Sequence, residues 1–448
     1  MQNKMITKPT EIKEKKSHNW ITFVILLYII MMAAFFRFSG IFWGEYQYLH
    51  PDERFLVWVG SDISPVENLS AYFNTAESSL NPHNRNHGFY VYGTLPMFIT
   101  RYLVEWIFGH SGFMEMTQVG RVCSSLVDLF TIVLVFLIAR EIFDRRVALL
   151  ASAFSAMAVL QIQQSHFFTM DTFLVMFSTL AFYCAVIIIT NRDEVKPSSD
   201  TQHETPAQNM NRFTQINHTF VGLLKNIYRD KLFLPSLGFG IALGLAVASK
   251  LDAALMAFAL PLAMAIYYIQ VPPDVKIRRL VIIFGNLILA AITSLLIFRI
   301  FQPYAFEGPG FFGVRLNPLW LDNIRSLLAQ SGGDVDFPPA MQWARRSHLF
   351  SLKNMLTWGL GLPLGLLSSF GFLWSGWKII TTWKKEKHLW QYHALIWSWT
   401  ALYFLYQSMR QNATMRYQLP IYPMLSIFAA WAIIAIYDFQ RNRSAESN

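Results

Sequence analysis

The sequence places carboxylates and cations at four points where long apolar runs end. They lie in His50-Pro51-Asp52-Glu53, in His166 to Asp171, in Lys250-Leu-Asp252 and in Arg416-Tyr417. Such groups are costly to hold near lipid, so at these positions they indicate function. A carboxylate can accept the proton of a hydroxyl whose oxygen attacks a sugar carbon, and a lysine or arginine can stabilise a departing phosphate. The residue types therefore fit a site for a phosphate-bearing lipid.

Several of these residues also have a structural interpretation, which the sequence leaves open. Asp52 and Glu53 could form a solvated pair or cap a helix, and Asp171 could cap the helix that follows it. His166 could be a polar residue at the membrane interface. The functional interpretation is favoured most for Asp52, because it comes directly after an apolar run.

The cations and one further acid have alternatives of their own. Lys250 could extend to the interface or pair with Asp252, and Arg416 could anchor the chain at the interface. Asp128 lies in the middle of an apolar run, where a lone charge is costly. We expect Asp128 to be paired within the helix bundle, with Arg121 two turns earlier as the candidate partner.

A divalent metal is a further possibility, because Asp52, Glu53 and His166 supply oxygen and imidazole ligands and His50 lies beside them. No motif of fixed spacing supports it. We therefore expect no certain cofactor.

The composition predicts a membrane protein. Of the 448 residues, 54% are hydrophobic and only 15% are charged, whereas soluble domains carry roughly 25% charged residues. The net charge of +9 is better explained by basic cytoplasmic loops than by nucleic-acid binding, since no basic patch is interleaved with aromatic residues. Cys123 and Cys184 both lie in apolar segments, which argues against disulfides and thiolate metal sites.

Ten apolar segments have the length of transmembrane helices, which is roughly 17–25 residues. They are 20–43, 118–140, 147–165, 170–190, 233–250, 252–271, 280–301, 355–378, 391–409 and 416–437. If segment 89–108 lies along the outer face, every short basic loop falls on the cytoplasmic side. The sequence thus predicts an all-α polytopic protein with both termini in the cytoplasm and the four polar stretches at one outer face.

The predicted organisation is one transmembrane domain, 20–437, between a basic N-terminus, 1–19, and a short tail, 438–448. Two long outer loops, 44–117 and 302–354, are expected to be ordered, and Tyr304 in the second is a further site candidate. The polar stretch 191–231 is expected to be a disordered cytoplasmic loop.

Several motifs resemble those of the integral-membrane GT-C glycosyltransferases. The resemblance is strongest to the branch of the dolichyl-phosphate-mannose–protein mannosyltransferases and the bacterial lipid A aminoarabinose transferases. It is carried by Pro51-Asp52-Glu53, Gly88 to Pro96, Gly120-Arg121 with Ala139 to Arg146, Ser165 to Asp171, Gly244 to Lys250 and Arg416 to Pro423. Gly93-Thr-Leu-Pro96 lacks the Lys/His-Pro-Pro pattern of that branch.

The resemblance implies a GT-C fold of about ten transmembrane helices with juxtamembrane helices in the first outer loop. It implies Asp52 as the catalytic carboxylate with Glu53 beside it, and Lys250, Arg416 and Tyr417 as candidates for the donor phosphate. His50, His166, Asp171 and Tyr304 are further active-site candidates.

The implied activity is transfer of a hexose or pentose from a polyprenyl-phosphate donor to a lipid, envelope glycan or protein acceptor at the plasma membrane. A transporter or flippase of lipid-linked sugars is the alternative. A non-catalytic scaffold within an envelope assembly is a third interpretation.

Overall fold

The computed structural model describes residues 19–45, 47–191, 222, 224–335, 338–383 and 390–446. Most of the predicted N-terminal segment and of loop 191–231 lies outside these residues. The part of the chain that is described consists of helices joined by turns, with one isolated antiparallel bridge between Phe306 and Leu316. The prediction of an all-α protein is confirmed.

The α-helices whose two ends are described are, in chain order, α1 (Asn19–Phe38), α2 (Pro51–Asp62), α3 (Leu69–Tyr72), α4 (Thr94–Phe108), α5 (Phe113–Ile142), α6 (Arg145–Met157), α7 (Val159–Ser165), α8 (Met170–Thr190), α9 (Phe233–Ser249), α10 (Ala259–Ile269), α11 (Lys276–Phe301), α12 (Pro318–Gly332), α13 (Pro338–Met341), α14 (Phe350–Asn354), α15 (Leu362–Thr382), α16 (Trp390–Met409) and α17 (Tyr422–Glu446). Short 3₁₀ helices cover Pro82–Arg85, Leu251–Phe258, Pro273–Val275, Pro303–Ala305 and Met415–Ile421, and Met355–Gly359 forms one turn of π-helix.

Within the described ranges, six helices are long and apolar enough to cross a membrane, so the protein is an integral multi-pass membrane protein. They are Trp20–Phe38, Phe113–Ile142, Met170–Thr190, Leu251–Ile269, Pro273–Phe301 and Met415–Ala445. A seventh is obtained if α6 and α7 form one broken span, and α9 is a shorter apolar helix. The helices α15 and α16 occupy two further predicted spans. The expected total of about ten remains a prediction.

Helix α4 covers most of segment 89–108, which is predicted to lie along the outer face rather than to cross the membrane. It has 15 residues, and at 1.5 Å per residue it is ~22 Å long, shorter than the ~30 Å hydrocarbon core of a bilayer. One face, including Met97 and Val104, is buried against the protein, whereas Trp106 is largely exposed. These features are compatible with a helix that lies along the membrane surface.

The predicted span 147–165 is not one straight helix. It bends by 57° between α6 and α7, where Ala158 adopts an extended backbone conformation. A break leaves the last carbonyl groups of a helix without partners from the next turn, and inside a membrane these groups need other donors.

Arg37, which is fully buried at the end of α1, supplies these donors. Its guanidinium donates to the carbonyl oxygens of Ala156 (3.1 Å) and Ser155 (3.5 Å) in the last turn of α6. It also pairs with Asp128 at 2.6 Å. The prediction that Asp128 pairs with Arg121 is therefore wrong. Seven residues separate the two by about 10 Å along the helix axis, and Arg37 on the neighbouring helix is closer.

We expect Arg37→Met to lower the free energy of unfolding by about 3–5 kcal/mol, because it leaves Asp128 as an unpaired buried charge. The double variant Arg37→Met/Asp128→Leu should recover part of this loss, since it removes both charges. Thermal unfolding of the two purified variants in one detergent tests this. A double variant less stable than Arg37→Met would contradict the pairing.

The polar stretches are positioned by a packed apolar layer. Leu56 of α2, Met97 of α4, Met116 of α5 and Phe168 before α8 are buried in one cluster. This layer fixes α2 against α4 and α5, so that the first turn of α2 lies beside the start of α8.

Candidate functional site

Asp52 and Arg416 form an ion pair although they lie far apart in the sequence. The Asp52 Oδ2 atom lies 2.6 Å from the Arg416 guanidinium, and both side chains are partly exposed. Asp52 is in the first turn of α2, after His50 as the helix N-cap and Pro51. Arg416 follows Thr414, which caps the 3₁₀ helix Met415–Ile421. Two distant turns therefore deliver a carboxylate and a guanidinium to one point.

A second ion pair lies against the first. Lys250 Nζ is 2.7 Å from Oδ1 of Asp171, and the other Asp171 oxygen is 3.7 Å from Nε of Arg416. Lys250 is the residue that ends α9, and Asp171 is in the first turn of α8. Asp171 thus touches both cations and is placed to orient them. We call these two carboxylates and two cations the charge cluster: Asp52, Asp171, Lys250 and Arg416.

Two tyrosines border the charge cluster. The Tyr417 ring lies under Lys250, with Nζ 4.6 Å from the ring centroid, and 5.6 Å from the Arg416 guanidinium carbon. Tyr92 lies beside Asp52, and burial together with this carboxylate raises the pKa of the Tyr92 hydroxyl. Sequence reasoning missed Tyr92, because an aromatic residue in a loop carries no spacing signal for a contact with a distant acid.

The charges of the cluster set the ionisation of its members at the start of α2. Burial works to raise the pKa of Asp52, but the adjacent Arg416 guanidinium opposes it, and that pKa is held below its ordinary value. Burial and the adjacent guanidinium lower the pKa of His50, whose Nε2 lies 3.0 Å from Arg416. Near neutral pH the site therefore holds an ionised Asp52 beside a neutral imidazole.

Glu53 does not join the charge cluster, although the sequence suggested a catalytic pair. It is fully buried and makes a two-pronged ion pair with Arg121, at 2.7 and 2.8 Å. It also accepts the backbone N–H of Phe168 at 2.8 Å. Both carboxylate oxygens of Glu53 therefore already accept hydrogen bonds within the protein. Glu53 therefore acts as a structural clamp that holds α2, with Asp52, against α5 and the turn before α8.

His166 and Tyr304 also point elsewhere. The two His166 ring nitrogens face the carbonyl oxygens of Ile162 (2.8 Å) and Ser39 (3.0 Å). The Tyr304 hydroxyl pairs with the Ser78 hydroxyl at 2.6 Å in the apolar layer. Neither residue contacts the charge cluster.

The proposed metal ligands do not fit a metal. Asp52 is bound to Arg416, Glu53 is bound to Arg121, and His166 is turned away. Among the described residues, no group of three or more His, Cys, Asp or Glu side chains could hold a metal ion.

A third ion pair adjoins the cluster. Arg410 donates to Asp252 at 2.9 Å, so Asp252 is the partner of Arg410, whereas Lys250 pairs with Asp171. Asp252 follows Lys250 by two residues and Arg410 precedes Arg416 by six.

Gly93 brings Tyr92 to the cluster through a close backbone contact. Its N–H donates to the Ser249 carbonyl at 3.2 Å, directly before Lys250. A Cβ atom at Gly93 would lie 2.1 Å from the carbonyl oxygen of Ala248. Only glycine leaves room for this contact, which ties the Tyr92 loop to the end of α9.

We therefore expect Gly93→Ala to destabilise the protein by about 1–3 kcal/mol, the usual cost of overpacking, and to reduce the activity of the site by moving Tyr92 and Lys250 apart. Gly88→Ala is the matched control, since a Cβ there meets no atom within 4 Å. Thermal unfolding and activity of both variants test this. Equal behaviour of the two variants would rule out the tight contact.

Part of the chain matches a known family. Residues 101–196 match the family PMT_2, described as dolichyl-phosphate-mannose-protein mannosyltransferase. The matched stretch contains Arg121 and Asp171, and it does not include Asp52, Lys250 or Arg416. No curated protein sequence matches the chain. The family match agrees with the resemblance found in the sequence.

The fold is similar to that of the oligosaccharyltransferase AglB from Archaeoglobus fulgidus. The complex of AglB with an inhibitory peptide and a dolichol-phosphate matches with a TM-score of 0.56 and 14% identity, over 96% of this chain and 52% of that chain. The complex with Zn and sulfate matches with a TM-score of 0.53 and 16% identity, over 94% and 50%. ArnT from Cupriavidus metallidurans bound to undecaprenyl phosphate matches with a TM-score of 0.46 and 14% identity, over 93% and 60%.

This chain spans about half the length of the archaeal protein. At these identities the likeness concerns the fold, and it confirms the predicted GT-C fold.

Proposed function

We propose that the protein is a glycosyltransferase that moves a sugar from a polyprenyl-phosphate donor to a lipid, glycan or protein acceptor. The single observation that carries the proposal is the charge cluster, in which four separate turns bring Asp52, Asp171, Lys250 and Arg416 together. The family match and the fold support it, as does the binding of dolichol-phosphate by the archaeal protein. The sugar is a hexose or a pentose.

In the proposed reaction Asp52 acts as the general base. It takes the proton of an acceptor hydroxyl while that oxygen attacks the anomeric carbon of the donor sugar. The bond from this carbon to the phosphate oxygen breaks, and the polyprenyl phosphate leaves. A single displacement of this kind inverts the configuration at the anomeric carbon.

Arg416 and Lys250 stabilise the negative charge that develops on the leaving phosphate. In the free protein both cations are paired with Asp52 and Asp171. A donor phosphate that binds the cations must compete with these carboxylates. Donor binding then releases Asp52 from Arg416, so that the base becomes available only when the donor is present.

This exchange has a measurable pH signature. Arg416 holds the pKa of Asp52 below its ordinary value in the free protein, although burial alone would raise it. When the donor phosphate engages Arg416, that pKa should rise. Because the base works as a carboxylate, the rate falls as the pH drops through this pKa.

We therefore expect the acid limb of kcat, which reports the complex, at a higher pH than that of kcat/KM, which reports the free enzyme. Measurement of both constants across an acidic pH series checks this. Coincident acid limbs would contradict the exchange of Arg416 between Asp52 and the donor.

The location that best fits this reaction is the outer face of the cell membrane, with both termini in the cytoplasm. The support is the bias of lysine and arginine in the short loops. In this arrangement the donor tail stays in the bilayer while the acceptor reaches the site from the aqueous side.

The direct test is transfer by the purified protein from labelled undecaprenyl-phosphate hexoses and pentoses, with an envelope extract as the acceptor source. Label should appear in a product that is no longer attached to the polyprenyl phosphate of the donor. The alternative, a flippase of lipid-linked sugars, predicts movement of the intact labelled donor across proteoliposomes without any acceptor. Translocation without transfer would replace the proposal by that alternative.

A further inference from the structure

A cavity of about 310 Å³ includes Arg410 in its lining, and the partner of Arg410, Asp252, lies two residues after Lys250 of the charge cluster. It is lined by Trp343, Arg345, Arg346, His348, Arg410 and Gln411, among others, and we call it the arginine cavity. We propose that the arginine cavity binds an anionic group, a phosphate or a carboxylate, that is carried by the acceptor. The acceptor assignment rests on the proposed glycosyl transfer.

The balance of charge in the arginine cavity favours an anion. Of its three guanidinium groups, the Arg410 group has a carboxylate partner, Asp252, at 2.9 Å. Arg346 donates from Nε to the Gln342 carbonyl at 3.2 Å and stacks on Phe350, with the guanidinium carbon 4.9 Å from the ring centroid. Arg345 makes no hydrogen bond or ion pair with any other described residue. Two of the three cations thus lack an acidic partner in the described part of the chain.

Guanidinium groups bind phosphate and carboxylate through paired N–H donors. Here two such groups are adjacent in the chain and a third faces the same space. The wall is also anchored, because the ring of His348 makes a 3.0 Å contact through Nδ1 with the carbonyl oxygen of Ser408 near the end of α16. The volume is at the lower end of the range of small-molecule sites, about 300–1,000 Å³, and suits a phosphorylated or acidic sugar unit.

The position of the cavity indicates which substrate carries the anion. Arg410 connects the two sites, since its partner Asp252 lies two residues from Lys250. The leaving phosphate of the donor already has Lys250 and Arg416, so a second set of cations serves a second anion. Most residues from 341 to 349 are exposed and lie outside the candidate membrane spans. A ligand therefore reaches the cavity from water, as an acceptor does, rather than from the lipid.

The test measures binding of two probes to the purified full chain: undecaprenyl phosphate, and inorganic phosphate added when undecaprenyl phosphate already occupies Lys250 and Arg416. The variant Arg345→Gln/Arg346→Gln should weaken phosphate binding about tenfold or more, the loss expected for charged hydrogen bonds, and should bind undecaprenyl phosphate as the wild type does. The matched control, Arg315→Gln/Arg325→Gln, removes the same charge from side chains that are 81% and 74% exposed and lie outside the cavity. It should leave both affinities unchanged.

Equal phosphate affinity in the wild type and Arg345→Gln/Arg346→Gln, or an equal loss in the control, overturns the anion site. In the transfer assay at saturating donor, inorganic phosphate should compete with the acceptor extract in the wild type and lose this effect in the cavity variant. Wild-type transfer that phosphate does not inhibit overturns the acceptor assignment. A wild-type protein that fails to bind undecaprenyl phosphate contradicts the proposed function instead, because that lipid belongs to Lys250 and Arg416.

Discussion

Replacement of Asp52 by asparagine is expected to lower kcat by about 10²–10⁴-fold, the range that a positioned general base contributes. The change removes the proton acceptor and keeps the size of the side chain. It also removes the carboxylate that competes with the donor phosphate for Arg416. Affinity for undecaprenyl phosphate should therefore stay the same or increase while transfer is lost.

The opposite movement of rate and affinity separates catalysis from folding, since a misfolded variant would lose both. Asp62→Asn is the matched control, because Asp62 lies at the other end of α2, where it contacts His87. It should transfer at close to the wild-type rate. Wild-type turnover by Asp52→Asn would remove Asp52 from the role of base.

Replacement of Arg416 by glutamine is expected to lower kcat/KM by about 10²–10³-fold. This is the loss that follows removal of a hydrogen-bonding side chain that stabilises charge in the transition state. In contrast to Asp52→Asn, it should also weaken binding of undecaprenyl phosphate. Arg416→Lys should recover only part of the activity, because an ammonium group lacks the planar fork that contacts two phosphate oxygens.

Arg416→Gln also leaves Asp52 and Asp171 with fewer partners, so its thermal stability must be measured beside the kinetics. Arg325→Gln, on the exposed surface of α12, controls for the loss of one positive charge. If Arg416→Gln binds undecaprenyl phosphate as tightly as the wild type, Arg416 is not a phosphate ligand.

The sequence predicted that the four turns of the charge cluster lie together. Apolar run lengths and the distribution of basic loops predicted that the turns at Asp52, Asp171, Lys250 and Arg416 share one face, and the structure brings these four side chains together. The bias of basic residues assigns each loop to one of two membrane sides, so turns on the same side can be grouped from the sequence.

The sequence does not predict which helices lie side by side in the bundle. The pairs Arg37–Asp128 and Glu53–Arg121 join residues that are 91 and 68 positions apart. Side-chain packing, rather than periodicity, determines which helices lie side by side. The sequence therefore predicts a partner for Asp128 on its own helix, whereas the partner in the structure is on α1. The two adjacent acids differ for the same reason. Asp52 and Glu53 are neighbours in the first turn of α2 but point in different directions. Asp52 contacts Arg416 in the charge cluster, whereas Glu53 contacts the buried Arg121.

The contact between α1 and the broken helix also constrains the order of biogenesis. Arg37 is synthesised 91 residues before Asp128 and well over 100 residues before the carbonyl groups of α6 that it contacts. During that interval the first helix has none of these partners in the membrane. Its arginine, in the last turn of the helix, can reach the lipid headgroups meanwhile. We expect α1 to be displaced at first toward the headgroups that Arg37 contacts, and to reach its final depth only when α5 and α6 have been inserted beside it.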